Sequence, residues 1–319
     1  MSLGEFDFIE RLLRPLSEGF PGALGLRDDA ALIDVPSDRQ LVVAKDALVA
    51  GIHFLPDDPA DLVAGKLLRV NLSDLAAMGA EPLAYLTAIA RPADLPDAWL
   101  EGFVRGLERD QKVFGLHLVG GDTVSTTGPL VLSLTILGLV PRGRALRRDG
   151  ARPGELVCVS GTLGDAALGL RILRGLAAPD ELAFPLVERY RIPQPRLALG
   201  RALYGLASAA IDISDGLIAD LGHLLRASGV GARIEAAAVP LSPPARALPG
   251  ARQSALCGGD DYELLFTLPA DREPLLAVLS ARLELPLTVI GRTRAEPGLD
   301  VVDERGAPVH LERSGWRHF

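Results

Sequence analysis

The chain has 319 residues, with 33 Lys and Arg against 41 Asp and Glu for a formal charge of −8, and it is 48% hydrophobic but only 5% aromatic. That length suits two domains or one large one, and the composition excludes wholesale disorder, collagen and a disulfide-stapled mini-protein. No global basic surface exists to neutralise a phosphate backbone, which argues against nucleic acid as a main partner.

Of the basic residues only Lys45, Lys66 and Lys112 are lysine; the rest are arginine. Cys158 and Cys257 stand too far apart for a C-x-x-C motif, so a reducing, cytoplasmic setting is expected. Charges at Glu5, Asp7, Glu10 and Arg11 interrupt the first apolar stretch, and no 18-residue apolar run follows, so no membrane association is expected.

Residues 5–15 space apolar side chains as in an amphipathic helix ending at Pro15. A loop with Asp28 and Asp29 leads to two predicted strands, Ala30 to Val35 and Leu41 to Val43, with Asp46 where the second run ends. Residues 59–79 open on Pro59 and close on Gly79, the start and stop signals of a helix, interrupted by Asn71-Leu72-Ser73-Asp74. A strand (Leu83 to Ala90), a helix (Asp97 to Phe114) and a strand pair around Gly120-Gly121-Asp122 complete the first half. Residues 141–154, rich in Arg, Gly and Pro, read as a domain boundary between 1–140 and 150–319.

Beyond it come an apolar run (Glu155 to Val159), the turn Gly161-Thr162-Leu163-Gly164 and a helix from Ala166 to Leu173. Then follow Ile211-Asp212-Ile213-Ser214-Asp215-Gly216, a helix from Leu217 to Ala227 and a strand around Ala232 to Ile234. Cys257-Gly258-Gly259-Asp260-Asp261-Tyr262-Glu263 and a helix from Arg272 to Leu283 precede the C-terminal Trp316. The alternation of helices and strands predicts an α/β or α+β fold.

Aspartates recur at the ends of apolar runs beside small residues: Asp28 and Asp29, Asp46, Asp74, Asp122, Asp212 and Asp215, Asp260 and Asp261. Such hard oxygen donors suit Mg²⁺, which takes one or two carboxylates and completes its shell with water and substrate phosphates; singly, each could equally cap a helix or close a turn. If several converge, their repulsion is tolerable only with divalent cations among them, which points to phosphoryl transfer. No G-x-x-x-x-G-K-[ST] motif and no H-R-D or D-F-G pair occurs.

Read together, Gly4-Glu5-Phe6, Arg27-Asp28-Asp29-Ala30, His53-Phe54-Leu55-Pro56, Asn71-Leu72-Ser73-Asp74, Gly120-Gly121-Asp122-Thr123, Asp212-Ile213-Ser214-Asp215-Gly216 and Gly258-Gly259-Asp260-Asp261-Tyr262 resemble the thiamine-monophosphate kinase family, in order along the chain. That resemblance implies a two-domain fold like aminoimidazole ribonucleotide synthetase, with N-terminal strands closing a barrel in a homodimer. It implies an ATP-dependent kinase making thiamine diphosphate from thiamine monophosphate with several Mg²⁺ ions, K⁺ being an open question.

Asp29, Asp46, Asp74, Asp122, Asp212 and Asp215 match the family's metal ligands, with Lys45 joining them only through its backbone. Gly121, Asp122, Arg148 and Ser214 match ATP contacts, and His53, Asp260 and Trp316 match substrate contacts. This chain departs from the family at Ala44-Lys45, where Ser or Thr is common, at Asp260 for the usual Glu, and at Arg27 for a frequent Gly. Lys45 could reach a phosphate or point to solvent; Arg27 could screen the acidic loop or contact phosphate. Related synthetases and a catalytically silent nucleotide-binding dimer are the competing readings.

Overall fold

A computed structural model describes residues 4–310 and Gly315; the side chains of Glu5 and Phe6 are outside that description. The chain divides into two compact units, one of Met1–Leu75 and Ala80–Gly143, the other of Ala76–Gly79 and Arg144–Phe319.

The first unit begins with α1 (Glu5–Phe8), which runs on into a π turn over Ile9–Leu13 and a 3₁₀ turn over Arg14–Ser17. The expected single helix over 5–15 is thus broken into three, with Pro15 unable to donate to a preceding carbonyl. Then come β1 (Arg39–Val49), α2 (Ala60–Ala77), β2 (Glu81–Pro92), α3 (Asp97–Phe114), β3 (Leu118–Thr126) and β4 (Val131–Pro141). Pro96 precedes α3 and Gly115 closes it in the left-handed region at φ 68°, as the start and stop residues predict.

The four strands form one sheet in the order β1-β4-β2-β3, antiparallel except for the β2–β3 pair. Alternation gives the sheet two different faces. On one, Leu132, Leu134 and Ile136 of β4 and Tyr85 and Ile89 of β2 are buried. The helices lie on this side: the Tyr85 hydroxyl donates to Gln111 Oε1 of α3 at 2.9 Å. A Cβ on Gly138 of β4 would stand 3.0 Å from Leu75 of α2. On the other face Ala84, Val119 and Leu137 pack with Ala23, Ala31 and Ile33.

Two expectations change here. Ala30 to Val35 is not a strand: among the described residues its only ladder-like bond is Leu32 N–H to Gly22 O at 2.8 Å, and its alternate apolar residues Ala31 and Ile33 pack against the sheet face without pairing along an edge. The strand expected over Leu41 to Val43 extends to Val49, because pairing with β4 continues through Lys45↔Thr135 and Asp46↔Leu134. Asp46 therefore sits inside a strand and not at its end.

The second unit contains β5 (Leu156–Ser160), α4 (Asp165–Leu173), α5 (Asp180–Arg191), α6 (Leu197–Ala202), β6 (Ala209–Asp212), α7 (Leu217–Ser228), β7 (Gly231–Glu235), α8 (Pro243–Arg246), α9 (Ala251–Cys257), β8 (Leu264–Leu268), α10 (Pro274–Leu283), β9 (Leu287–Arg294) and β10 (Gly298–Val302). Its six strands run β10-β7-β9-β5-β8-β6, with β10–β7 parallel and the remaining pairs antiparallel. β5, β6 and β8 are buried along their whole length, and their side chains divide between two apolar clusters, one per face. Among the described residues no helix is long and apolar enough to cross a membrane.

Candidate active site

In the first unit a cavity of about 410 Å³ opens on the sheet face away from the helices. Asp28, Asp29, Lys45, Ala88, Gly120, Gly121, Asp122, Ser133 and Thr135 are among its lining residues. The register explains the grouping: Ala47, Ser133, Ala88 and Asp122 lie in one cross-strand row, and Lys45 faces Thr135 in the next row on the same side. The cavity thus brings Asp29, Lys45, Gly121 and Asp122 together. Asp28 Oδ1 accepts the Asp29 N–H at 2.9 Å, leaving both carboxylates at the surface. Gly121 is small for packing reasons, since a Cβ there would stand 2.3 Å from the Thr87 carbonyl oxygen. Arg27 is engaged elsewhere, its guanidinium pairing with Glu10 at 3.2 Å, which raises the arginine and lowers the carboxylate.

Asp46 leaves the opposite side of β1 from Lys45. Its N–H donates to Asn71 Oδ1 at 3.1 Å, and Asn71 stands one helical turn before Asp74 on α2. The unit-one ligand candidates are therefore divided between the two sides of one sheet, Asp29 and Asp122 on one and Asp46 and Asp74 on the other. His53 sits in a tight loop after β1: its ring Nδ1 accepts the Val49 N–H at 3.0 Å, which fixes the ring proton on Nε2 and makes that atom a donor. Buried Lys66 of α2 donates to the His53 carbonyl at 3.1 Å and secures the loop from below.

In the second unit, Asp212 ends β6 and is buried, while Ser214 and Asp215 follow in a loop before α7. The residue that organises this loop is Asp220, in the first turn of α7. Its Oδ2 accepts three successive backbone N–H groups, from Ser214 at 3.1 Å, Asp215 at 3.0 Å and Gly216 at 3.1 Å. Burial, then the charges of Asp212 and Asp215, push the Asp220 carboxyl up to about 7. The sequence reading passed over Asp220, because an acidic residue in a helix's first turn looks like ordinary dipole compensation. Arg148 is exposed; burial, then the charges of Arg226 and Arg148, hold the His223 imidazole below its usual value while Asp215 acts in the opposite sense.

The second loop, Gly258 to Tyr262, lies directly on the first. The Asp260 N–H donates to Ser214 O at 2.9 Å and the Tyr262 N–H to Ile213 O at 2.8 Å. Asp260 and Tyr262 both adopt left-handed backbone, at φ 69° and φ 51°, a strained state that surrounding contacts must enforce. Those contacts centre on Glu263, fully buried, which accepts from Ser160 Oγ at 2.5 Å, Arg189 at 2.8 Å and Arg196 Nε at 2.7 Å.

Asp261 is buried as well, and both its carboxylate oxygens accept the Gly164 N–H at 2.9 Å. Burial raises its pKa well above the ordinary 3.8. Between that value and the raised one the native state holds a proton the unfolded chain has released, so this group's contribution to stability falls as pH rises. Asp261→Asn keeps an acceptor for Gly164 and is expected to match the wild type near pH 4 and to melt higher than it near pH 8 in a thermal-unfolding series; parallel curves would contradict this assignment.

Trp316 lies outside the described residues. Among the described residues no three of His, Cys, Asp and Glu form a ready-made metal cage.

The chain's relationships fit this layout. A family model for the N-terminal domain of AIR synthase related protein matches residues 27–140, and one for its C-terminal domain matches 152–304. The thiamine-monophosphate kinase of Escherichia coli (strain K12) is 46% identical over 331 residues, spanning 100% of this chain and 99% of that protein. The chain belongs to the thiamine-monophosphate kinase family. The solved structure of the family member from Stenotrophomonas maltophilia K279a superposes with a TM-score of 0.85 at 44% identity, covering 97% of this chain and 99% of that one. AaThiL, solved in complex with AMPPCP and TMP, superposes with a TM-score of 0.79 at 33% identity over 99% of this chain and 97% of that one. The two-domain α/β fold of this kinase family, with a mixed sheet in each unit, is thereby shared by the present chain.

Proposed function

We propose that this chain transfers the γ-phosphoryl group of ATP to thiamine monophosphate, forming ADP and thiamine diphosphate, the last step of thiamine diphosphate synthesis. The observation that carries the reading is the match along nearly the whole chain to AaThiL with its ATP analogue and TMP. A phosphate oxygen of the acceptor attacks the γ-phosphorus in line, the bond to the β–γ bridging oxygen breaks, and its electrons leave with ADP. A phosphate monoester is already largely dianionic near neutral pH, with a second pKa of about 6, so no strong general base is needed. The protein's work is positioning and neutralisation of charge.

The donor set fits Mg²⁺. Asp212 and Asp215 stand close enough to Asp220 to raise its pKa, a concentration of like charge that favours a cation, and among the described residues the Asp29 and Asp122 carboxylates, which line the cavity, form no ion pair. Asp29, Asp46, Asp74, Asp122, Asp212 and Asp215 would hold the ions, and the metals would neutralise polyphosphate oxygens. Gly121, Ser214 and Arg148 would contact ATP, Arg148 by gripping two phosphate oxygens at once. The His53 Nε2–H, Asp260 and Trp316 would hold thiamine monophosphate.

A homodimer completes the proposal. The edge strands β1 and β3 expose Leu41 at 40%, Val43 at 57% and Val124 at 51%, apolar surface that a second copy would cover. Val43→Glu is expected to shift the protein towards monomer in light scattering across a concentration series; an unchanged dimer would remove β1 from the interface. The direct test of function is ADP and thiamine diphosphate formation from Mg-ATP and thiamine monophosphate, with free thiamine and aminoimidazole precursors as alternative acceptors. Nucleotide binding without diphosphate formation would overturn the reading in favour of the silent dimer.

A further inference from the structure

Of the three lysines in a chain that otherwise uses arginine, two have structural tasks. Lys66 is buried and holds the His53 carbonyl, and Lys112 pairs with Glu108 one turn away on the surface of α3. Lys45 has neither kind of partner. Its ammonium makes no hydrogen bond or ion pair among the described residues. Strand alternation nevertheless points its side chain to the cavity face of β1, opposite Thr135 and one row from Asp122. Among the described residues it is the one basic group that lines the cavity, together with the carboxylates of Asp28, Asp29 and Asp122.

An ammonium that lines a cavity with three carboxylates and contacts none of them is placed to take an anionic group of a ligand that enters there. The hydroxyl of Thr135 opposite it adds a donor suited to the same ligand, while that of Ser133 donates to the Asp46 carbonyl at 3.2 Å. A polyphosphate accompanied by a divalent cation satisfies both signs of charge: the cation meets the carboxylates and the free phosphate oxygens meet the lysine. A lysine suits this place better than the arginine the composition would supply, because a compact charge on a flexible stem can follow a phosphate oxygen that moves during transfer.

We propose that Lys45 binds a phosphate oxygen of the nucleotide through its ammonium group, supplying fixed positive charge at the cavity and so reducing the free divalent cation needed there. This rests on the kinase reading above and specifies how this chain's own Lys45 serves that site.

The test compares wild type, Lys45→Met and Lys45→Arg. ATP binding is measured by calorimetry in EDTA, without divalent metal, and turnover is then followed across a Mg²⁺ titration. Lys45 is exposed, so unchanged unfolding temperatures are expected for both variants. Lys45→Met should weaken metal-free ATP binding about tenfold and raise the Mg²⁺ concentration for half-maximal rate by a similar factor, the size of one charge-assisted contact. Lys45→Arg should stay within about threefold of wild type. Equal ATP affinity and equal Mg²⁺ demand in Lys45→Met and wild type would overturn the proposal. If wild type binds ATP and loses affinity on Lys45→Met but phosphorylates no thiamine monophosphate, the lysine assignment stands and the acceptor in the kinase reading falls.

Discussion

Asp122→Asn is expected to lower kcat/KM for diphosphate formation by about 10³-fold, the scale of losing one charge-stabilising group in phosphoryl transfer. The carboxylate is exposed in the cavity of the first unit and makes no side-chain hydrogen bond or ion pair among the described residues. Removing its charge while keeping its shape should therefore leave the fold intact, with stability within ~0.5 kcal/mol of wild type. The two readouts separate a ligand from a structural residue: a large kinetic loss at constant Tm assigns Asp122 to the chemistry, whereas near-normal turnover would remove it from the metal set. The loss should be partly recovered at high Mg²⁺ if the remaining donors, Asp29 among them, still present oxygen to the ion. No recovery would mean that Asp122 does more than raise metal affinity.

Much of this arrangement could be read in advance, for physical reasons visible in single residues. Pro96 and Gly115 bracket α3, and the Pro59 to Gly79 frame held α2, because a missing N–H and a left-handed cap are local properties of the chain. What escaped depends on partners distant in sequence. Ala30 to Val35 alternates like a strand, yet its apolar side is satisfied by lying on Ala84, Val119 and Leu137, with no free edge needed. Asp46 looked like a strand terminus because polar residues interrupt the apolar run, but β1 is an edge strand: its cavity face is open to Lys45, and on the other side Asn71 of α2 accepts the Asp46 N–H.

The site shows the same division. The run Asp212-Ile213-Ser214-Asp215 declares its chemistry in its own composition. The strain at Asp260 and Tyr262 and the buried Glu263 with Arg189 and Arg196 do not, since they are created by elements as far apart as β5, α5 and β8. A short Asp at position 260 is compatible with this backbone because the left-handed turn is fixed by Ser214 O and Ile213 O and not by the side chain's length.

The sharpest separation of positioning from chemistry is expected at Asp220. One carboxylate oxygen there serves three consecutive amides, those of Ser214, Asp215 and Gly216, and so fixes the orientation of the loop that carries two candidate ligands. Asp220→Ala leaves the three donors without that acceptor in a buried setting, which should cost about 3 kcal/mol of stability and about 10²-fold in turnover as the loop loses its geometry. Asp220→Asn retains one oxygen of the right kind and removes a like charge from beside Asp212 and Asp215.

It should therefore keep turnover within about tenfold of wild type, while the alanine variant does not. The asparagine variant should also change how the metal-free protein responds to pH. In the wild type the folded carboxyl is raised from 3.8 to about 7, so stability declines as pH rises through that interval, and Asp220→Asn abolishes that part of the decline. Equal losses of turnover in both variants would show that the charge of Asp220 itself, and not its grip on the loop, is what the reaction uses.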